Sequence, residues 1–293
     1  MRYKFIILLV FVFASPLFAQ KDSLRNQIEN LIRTKKAKIG VGIYDLGTGD
    51  KLTVGGSRHY PMQSVYKFHL ALALLKKVDK GSRKLDDSII ISMKALKEDT
   101  WSPMRDKYPK GVTLTLREVL RYMISESDNN ACDILFKLYG GTRKVERYIK
   151  SLGIGAISIR ATEAQMHGPF VVQYSNWTTP TAAVLLLKKF YTDHILSEQS
   201  TNFLLDAMTQ SHNDPDRLKA GLPADAILAH KTGTSGRNRN GMKAAHNDIG
   251  IVTLPNGKRY AIAVFVSNSH ERDEENSKII ADISKIVSKY FAK

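Results

Sequence analysis

The chain has 293 residues, 44 Lys+Arg against 28 Asp+Glu, and one cysteine. Its composition, 43% hydrophobic and 25% charged, is that of a globular protein and excludes a fully disordered one. One cysteine excludes an intrachain disulfide, a cysteine-based zinc module and an iron–sulfur cluster held by this chain alone.

Arg2 and Lys4 precede an unbroken apolar run, Phe5 to Ala14, which is followed by Ser15-Pro16-Leu17-Phe18-Ala19. A positive start, a short apolar run and a small residue before polar sequence read as a secretory leader over residues 1–19, cleaved after Ala19. The run is too short to span a bilayer comfortably, and no later apolar stretch reaches membrane length. The expectation is an exported, periplasmic protein, monomeric and without stable membrane association once the leader is removed. The formal charge of +16 falls by two with the leader. Its basic residues lie in small groups, some beside acids as in Glu271-Arg272-Asp273-Glu274, so a solvated surface is expected and no nucleic-acid partner. An exported polyanion-binding protein without catalysis is the rival reading of that charge.

Leu24, Ile28, Leu31 and Ile32 recur at helical spacing, so Ser23 to Lys35 reads as an amphipathic helix. Ile39 to Tyr44 then reads as a strand, and Gly47-Thr48-Gly49-Asp50 turns it into Lys51-Leu52-Thr53-Val54. Phe68 to Leu75 is apolar nearly all round, as in a helix buried on every side. Thr115-Leu116-Arg117-Glu118 is a capping box opening another helix. Ile159 to Trp177 has little periodicity and reads as a functional loop. Thr179-Pro180 starts a further helix. Ile249–Leu254 and Tyr260–Ser267 flank Pro255-Asn256-Gly257-Lys258, a hairpin signal because Asn and Gly tolerate positive φ. Ile279, Ile280, Ile283, Ile286, Val287, Tyr290 and Phe291 form one stripe of a closing helix. The expected fold is α+β. Residues 20–62 and 215–293 supply an antiparallel sheet flanked by helices, and residues 63–214 an inserted all-helical region, the whole forming one catalytic domain with its site in the cleft between them.

Ser64-Val65-Tyr66-Lys67 opens the buried helix. A spacing of three puts the Ser64 hydroxyl and the Lys67 amine on one helical face. Serine is a weak nucleophile until a base takes its proton, and a neutral lysine in a low-polarity cleft can do so. By itself the pair reads better as a helix cap and a solvated lysine. Two further motifs change that reading. Ser127-Asp128-Asn129 lies between two helical segments, and Lys231-Thr232-Gly233-Thr234 follows the apolar Ile227-Leu228-Ala229 at a strand edge.

In their order and spacing these three motifs resemble S-x-x-K, S-D-N and K-T-G of the serine β-lactamase and penicillin-binding superfamily. The resemblance implies that Ser64 attacks a β-lactam carbonyl and that Ser127 relays a proton to the departing nitrogen. The backbone N–H groups of Ser64 and Thr234 would form the oxyanion hole. Lys231 and Thr232 would anchor the substrate carboxylate, and Asn129 would bond the side-chain amide. Asp128 would brace the local turn. The stretch Arg160 to His167 looks like the Ω-loop of class A β-lactamases, near residues 158–177, with Glu163 as the deacylating glutamate. The acylation base, Lys67 or Glu163 through water, stays open. Many relatives have Pro and Asn where Ala164 and His167 stand, so His167 is a candidate for holding the hydrolytic water. Together with Gln63 and Thr234-Ser235, these departures resemble the extended-spectrum, PER-like branch, which implies penicillin and cephalosporin hydrolysis with a lean to bulky cephalosporins and hence β-lactam resistance. Arg217 matches the alternative source of a carboxylate-binding arginine, and Trp101 matches the aromatic gate of the cleft. His230 stands where an aspartate is frequent. The alternative is a penicillin-binding transpeptidase or carboxypeptidase, or a β-lactam sensor domain. No cofactor is expected. The eight histidines show no metal-ligand spacing, so no metal is expected either. Cys132 on a probable helix reads as a small core residue.

Overall fold

The computed structural model describes residues 16–293. The expected leader lies outside the described residues up to residue 15, and Pro16 opens the first helix, α1 (Pro16–Ile32). Then come β1 (Lys38–Asp45), β2 (Lys51–Val54) and the short β3 (Tyr60–Pro61). A 3₁₀ turn over Gln63–Val65 leads into α2 (Tyr66–Asp79), followed by β4 (Ser88–Ser92), α3 (Pro103–Lys107), β5 (Gly111–Thr115) and α4 (Leu116–Ser125). Next are α5 (Asn129–Tyr139), α6 (Thr142–Ser151), β6 (Ile157–Ser158), α7 (Glu163–Met166), β7 (Trp177–Thr178), α8 (Pro180–Thr192) and α9 (Glu198–Thr209). The chain closes with β8 (Ile227–Thr234), β9 (Lys243–Thr253), β10 (Arg259–Ser269) and α10 (Asp273–Ala292).

Among the described residues the main sheet is antiparallel in the order β2-β1-β10-β9-β8, built from both ends of the chain as expected. Strand alternation divides two cores. On one face Ile39, Val41 and Ile43 of β1 and Ile262, Val264 and Val266 of β10 meet Leu24 and Ile28 of α1 and Ile279, Ile280, Ile283, Val287 and Phe291 of α10. Each such buried aliphatic or aromatic side chain is worth roughly 1.5–3 kcal/mol over leaving it in water. On the other face Ala261, Ala263 and Phe265 pack on the helical region around α2, whose residues 66–75 are all buried. Gly40 and Gly42 let α8 lie on the sheet: a Cβ at Gly42 would come 2.5 Å from the Pro180 carbonyl oxygen.

Two details depart from expectation. The inserted region carries short strands as well as helices: β4 pairs with β5, and β6 and β7 join β3. The β-branched run Ile89-Ile90-Ile91 was the signal for β4, with Ile89 and Ile91 buried and Ile90 exposed. At the β9–β10 turn only Gly257 adopts positive φ, +81°, and its N–H bonds to the Leu254 carbonyl. That geometry is a three-residue loop closed by a left-handed glycine, with Pro255 ahead of it, instead of the two-residue Asn-Gly turn.

Candidate active site

The turn carrying Ser64 is pressed against the edge strand β8. A Cβ on Gly233 would lie 2.4 Å from the Met62 carbonyl oxygen and 3.2 Å from the Ser64 nitrogen, so only glycine lets strand and turn approach this closely. Ser235 N–H bonds inward to Ala245 O of β9. Successive residues of a strand point their N–H groups to opposite sides, so Thr234 N–H faces away from β9 and into the cleft beside Ser64 N–H. Asn247 Nδ2 donates to the Pro61 and Met62 carbonyls at 2.8 and 3.2 Å and ties the same turn to β9. Gln63 (φ 49°) and Ser127 (φ 55°) both occupy the left-handed region, strain of the kind concentrated at functional sites.

Ser64 lies inside the 3₁₀ turn, and the N-caps of that turn and of α2 are Met62 and Val65, so Ser64 is not a helix cap. Lys67, fully buried, donates to Ser64 Oγ at 2.9 Å, to the Ser127 carbonyl at 2.8 Å and to Asn129 Oδ1 at 2.5 Å. These acceptors use the three N–H bonds of an ammonium. Glu163 Oε1 lies 3.0 Å from the same nitrogen yet has no hydrogen bond of its own. The contact is therefore electrostatic, and that buried carboxylate oxygen keeps a lone pair free to take a proton. Lys231, also fully buried, donates to Ser127 Oγ at 2.9 Å and to the Thr232 carbonyl at 3.0 Å. Burial first, and then the charge of Lys67, lower its pKa to about 7.

Ser64, Trp101, Ser127, Asn129, Thr232, Gly233 and Thr234 line a cavity of about 210 Å³. An adjoining cavity of about 420 Å³ shares Ser64, Trp101, Asn129 and Thr234 and adds Glu163, His167, Ser235 and Gly236. Trp101 is 59% exposed at the rim, and its indole N–H donates to the Glu126 carbonyl at 2.9 Å. His167 Nε2 lies 3.1 Å from Thr100 Oγ1, which accepts Asn129 Nδ2–H at 2.7 Å. One end of the Ω-loop is thus linked to Asn129 through a hydroxyl that the sequence reading did not single out. Asp128 is fully buried, caps α5 through Ala131 N–H and accepts from Ser102 and from Met104 N–H, as a brace would. Cys132 is buried beside Tyr66, and burial pushes its thiol well above the ordinary value, so it is a core residue.

This arrangement of hydroxyl, two buried lysines and a carboxylate spans the sheet and the helical region. Residues 23–291 match the family described as "Beta-lactamase enzyme family". The chain belongs to that family. It is 46% identical to the β-lactamase VEB-1 of Pseudomonas aeruginosa over 93% of this chain and 92% of that protein. To the extended-spectrum β-lactamase PER-1 of the same organism it is 40% identical, over 91% of this chain and 87% of that protein. The crystal structure of the TLA-1 extended-spectrum β-lactamase is similar at a TM-score of 0.92 and 52% identity, covering 94% of this chain and all of that one. A class A β-lactamase from Bacteroides cellulosilyticus is similar at a TM-score of 0.89 and 43% identity, covering 93% of this chain and 98% of that one. The fold is that of class A, and the protein is a β-lactam hydrolase.

In this β-lactamase the glutamate of the Ω-loop is held by side chains that lie far from it in sequence. Asp133, one helical turn after Asn129, accepts Glu163 N–H at 2.8 Å and Ala164 N–H at 2.9 Å. Burial pushes the Asp133 carboxyl up, against the two backbone donors. Asn176, fully buried, accepts the N–H groups of Arg160 and Ala161 and returns a bond to the Ala161 carbonyl. Glu146 accepts Ile159 N–H at 3.0 Å and pairs with Arg160 at 3.1 Å. Only the helical spacing of Asp133 from Asn129 offered a sequence signal for any of the three.

Arg217, expected to bind the substrate carboxylate, lies buried behind Thr234. It is 1% exposed and lines neither cavity of the cleft. Its guanidinium donates to the Asn247 carbonyl at 2.9 Å, to Asp214 at 2.9 Å and to Thr234 Oγ1 at 2.6 Å. Arg217 therefore stands behind Thr234 and orients it, and burial lowers its pKa.

Proposed function

We propose that this hydrolase cleaves penicillins and extended-spectrum cephalosporins through an acyl-enzyme on Ser64, after export to the periplasm as a monomer, and so confers β-lactam resistance. Ser64 Oγ forms the new bond to the lactam carbonyl carbon while its proton passes to a base, Lys67 or Glu163 through water. The developing oxyanion lies between the N–H groups of Ser64 and Thr234. The C–N bond breaks as Ser127 gives its hydroxyl proton to the nitrogen and takes up in turn the proton that Ser64 lost to the base, its oxygen being already the acceptor of a Lys231 N–H. Lys231 and Thr232 receive the substrate carboxylate, and Asn129 the side-chain amide. Glu163 then takes a proton from water as that water attacks the ester carbon, and that proton passes to Ser64 Oγ as the C–O bond breaks and the product leaves.

The observation that carries this reading is the 3.0 Å approach of Glu163 to the amine that also contacts Ser64. One carboxylate can thereby serve the water that clears the ester. The preference for bulky cephalosporins rests on the cavity of about 420 Å³ between the Ω-loop and Ser235-Gly236. Extended-spectrum enzymes are also among the similar proteins. Export is supported by the charge and apolar pattern of residues 1–19. No described helix is long and apolar enough to cross a membrane. Residues 20–62 with 215–293 and the inserted 63–214 are proposed as two halves of one catalytic unit, with the Ω-loop near 158–177.

Glu163→Gln tests the two-step scheme. It should lower turnover of a penicillin by about 10²–10⁴-fold, with the acyl-enzyme seen as a stable mass increase on Ser64; acylation stays fast if Lys67 is its base and slows as well if Glu163 is. Undiminished turnover would remove Glu163 from its role.

A further inference from the structure

Along the first half of β8 lies a cavity of about 560 Å³ formed with the end of α9 and the segment Ser211–Lys219. The catalytic scheme uses none of it, and it shares only Asn213 with the smaller cavity of the cleft. Its volume falls within the range of small-molecule sites. Ile227, Leu228, Ala226 and Pro215 give it apolar walls, and Ile227 is 58% exposed. Lys219 donates to the Ala226 carbonyl at 2.9 Å and straps one side.

The one deeply buried histidine in this lining is His230, 4% exposed. Its Nδ1 lies 3.0 and 3.1 Å from the two oxygens of Asp248, which is fully buried. A carboxylate accepts, so Nδ1 carries the hydrogen, and in the neutral ring Nε2 offers a lone pair. Nε2 has no partner among the described residues, and unlike Nε2 of the core histidine His69 it is not sealed from solvent. Asp248 also accepts Leu218 N–H at 3.3 Å, so the ring is held in one orientation from two elements. The result is one oriented ring nitrogen, an acceptor in the neutral ring, in a lining that combines apolar walls with Thr209, Ser211, His212 and Asn213. Among the described residues no three His, Cys, Asp or Glu side chains come together to hold a metal, so an organic ligand is the better match.

We propose that this cavity is a second ligand site, separate from the β-lactam cleft, for a small aromatic molecule that donates one N–H or O–H to His230 Nε2. A flat apolar ring covers Leu228 and Ile227, and its donor satisfies the imidazole. An apolar ligand lacking the donor leaves that nitrogen unpaired under the ring, which costs affinity.

The test uses indole as the probe and 1-methylindole as its donor-free counterpart, with the processed enzyme in NMR titrations that follow the His230 ring nitrogens. Indole should bind saturably with a shift of His230 Nε2, and 1-methylindole should bind at least tenfold more weakly. Ile227→Trp, which fills the rim, should weaken indole at least tenfold while β-lactam turnover stays unchanged. His230→Phe should abolish the indole effect. Because that variant leaves Asp248 buried without its donor and can fail to fold, the probe pair and Ile227→Trp carry the test independently. Equal binding of the two probes, displacement of indole by a β-lactam, or full indole affinity in Ile227→Trp would each overturn the proposal.

Discussion

The two halves of the cleft are held by different means. On the side of Ser64, backbone meets backbone: β8 lies against the nucleophile turn, glycine allows the approach, and sheet alternation aims Thr234 N–H. On the side of Glu163 the loop is held by Asp133, Asn176 and Glu146, each contributing side-chain bonds to loop backbone. The Ser64 turn is thus fixed by backbone packing, and Glu163, the proposed deacylating carboxylate, lies on a segment whose position depends on a few replaceable side chains. Acylation and deacylation should accordingly respond to different substitutions.

Gly233→Ala is the strongest way to break that contrast. The added methyl collides with the Met62 carbonyl, so strand and turn must separate and the paired N–H groups lose their geometry. Acylation by a penicillin should slow by about 10²–10³-fold, the usual cost of losing an oxyanion donor, as read from the burst phase in rapid mixing. Normal acylation would mean that the backbone packing does not set the oxyanion site.

Asp133→Ala probes the other half. Glu163 and Ala164 lose their acceptor, so deacylation should fall by about 10–10²-fold while the acylation rate is retained. Comparing burst amplitude with the steady-state rate measures this, and an equal loss in both phases would make the two halves one mechanical unit.

Arg217→Ala sharpens the picture of the β8 side. Loss of its bond to Thr234 should raise KM for carboxylate-bearing β-lactams about tenfold, with a smaller change in kcat. Unchanged KM would assign Arg217 to packing alone.

The smallest effect concerns pH. Lys231 sits near 7 because it is buried and close to Lys67, and in the proposed scheme its protonated form is the one that holds a substrate carboxylate. In the free enzyme kcat/KM should therefore fall several-fold as pH rises from 7 to 8, and less in kcat, because a bound carboxylate favours the protonated amine. Lys231→Arg keeps its charge at every such pH and should flatten that limb.

The site was legible in proportion to how locally its parts are encoded. Ser64 and Lys67 share one helical turn, the Thr115–Glu118 box and the Thr179-Pro180 start are short-range signals, and both cores follow from apolar periods. The strands β4 to β7 escaped because ladders of two to five residues carry little periodic signal, and the turn at Gly257 because Asn-Gly fits more than one loop.

By itself the sequence determined the sheet built from both chain ends and pointed to the Ser64–Lys67 pair and Glu163 as candidates, because residue type and short spacing encode them. Only the tertiary structure decided the depth of Arg217, the lowered pKa of Lys231, the clasp of Asp133 on Glu163 and the buried His230–Asp248 pair. Those properties arise from desolvation and from contacts between segments far apart in the chain, and no local pattern records either.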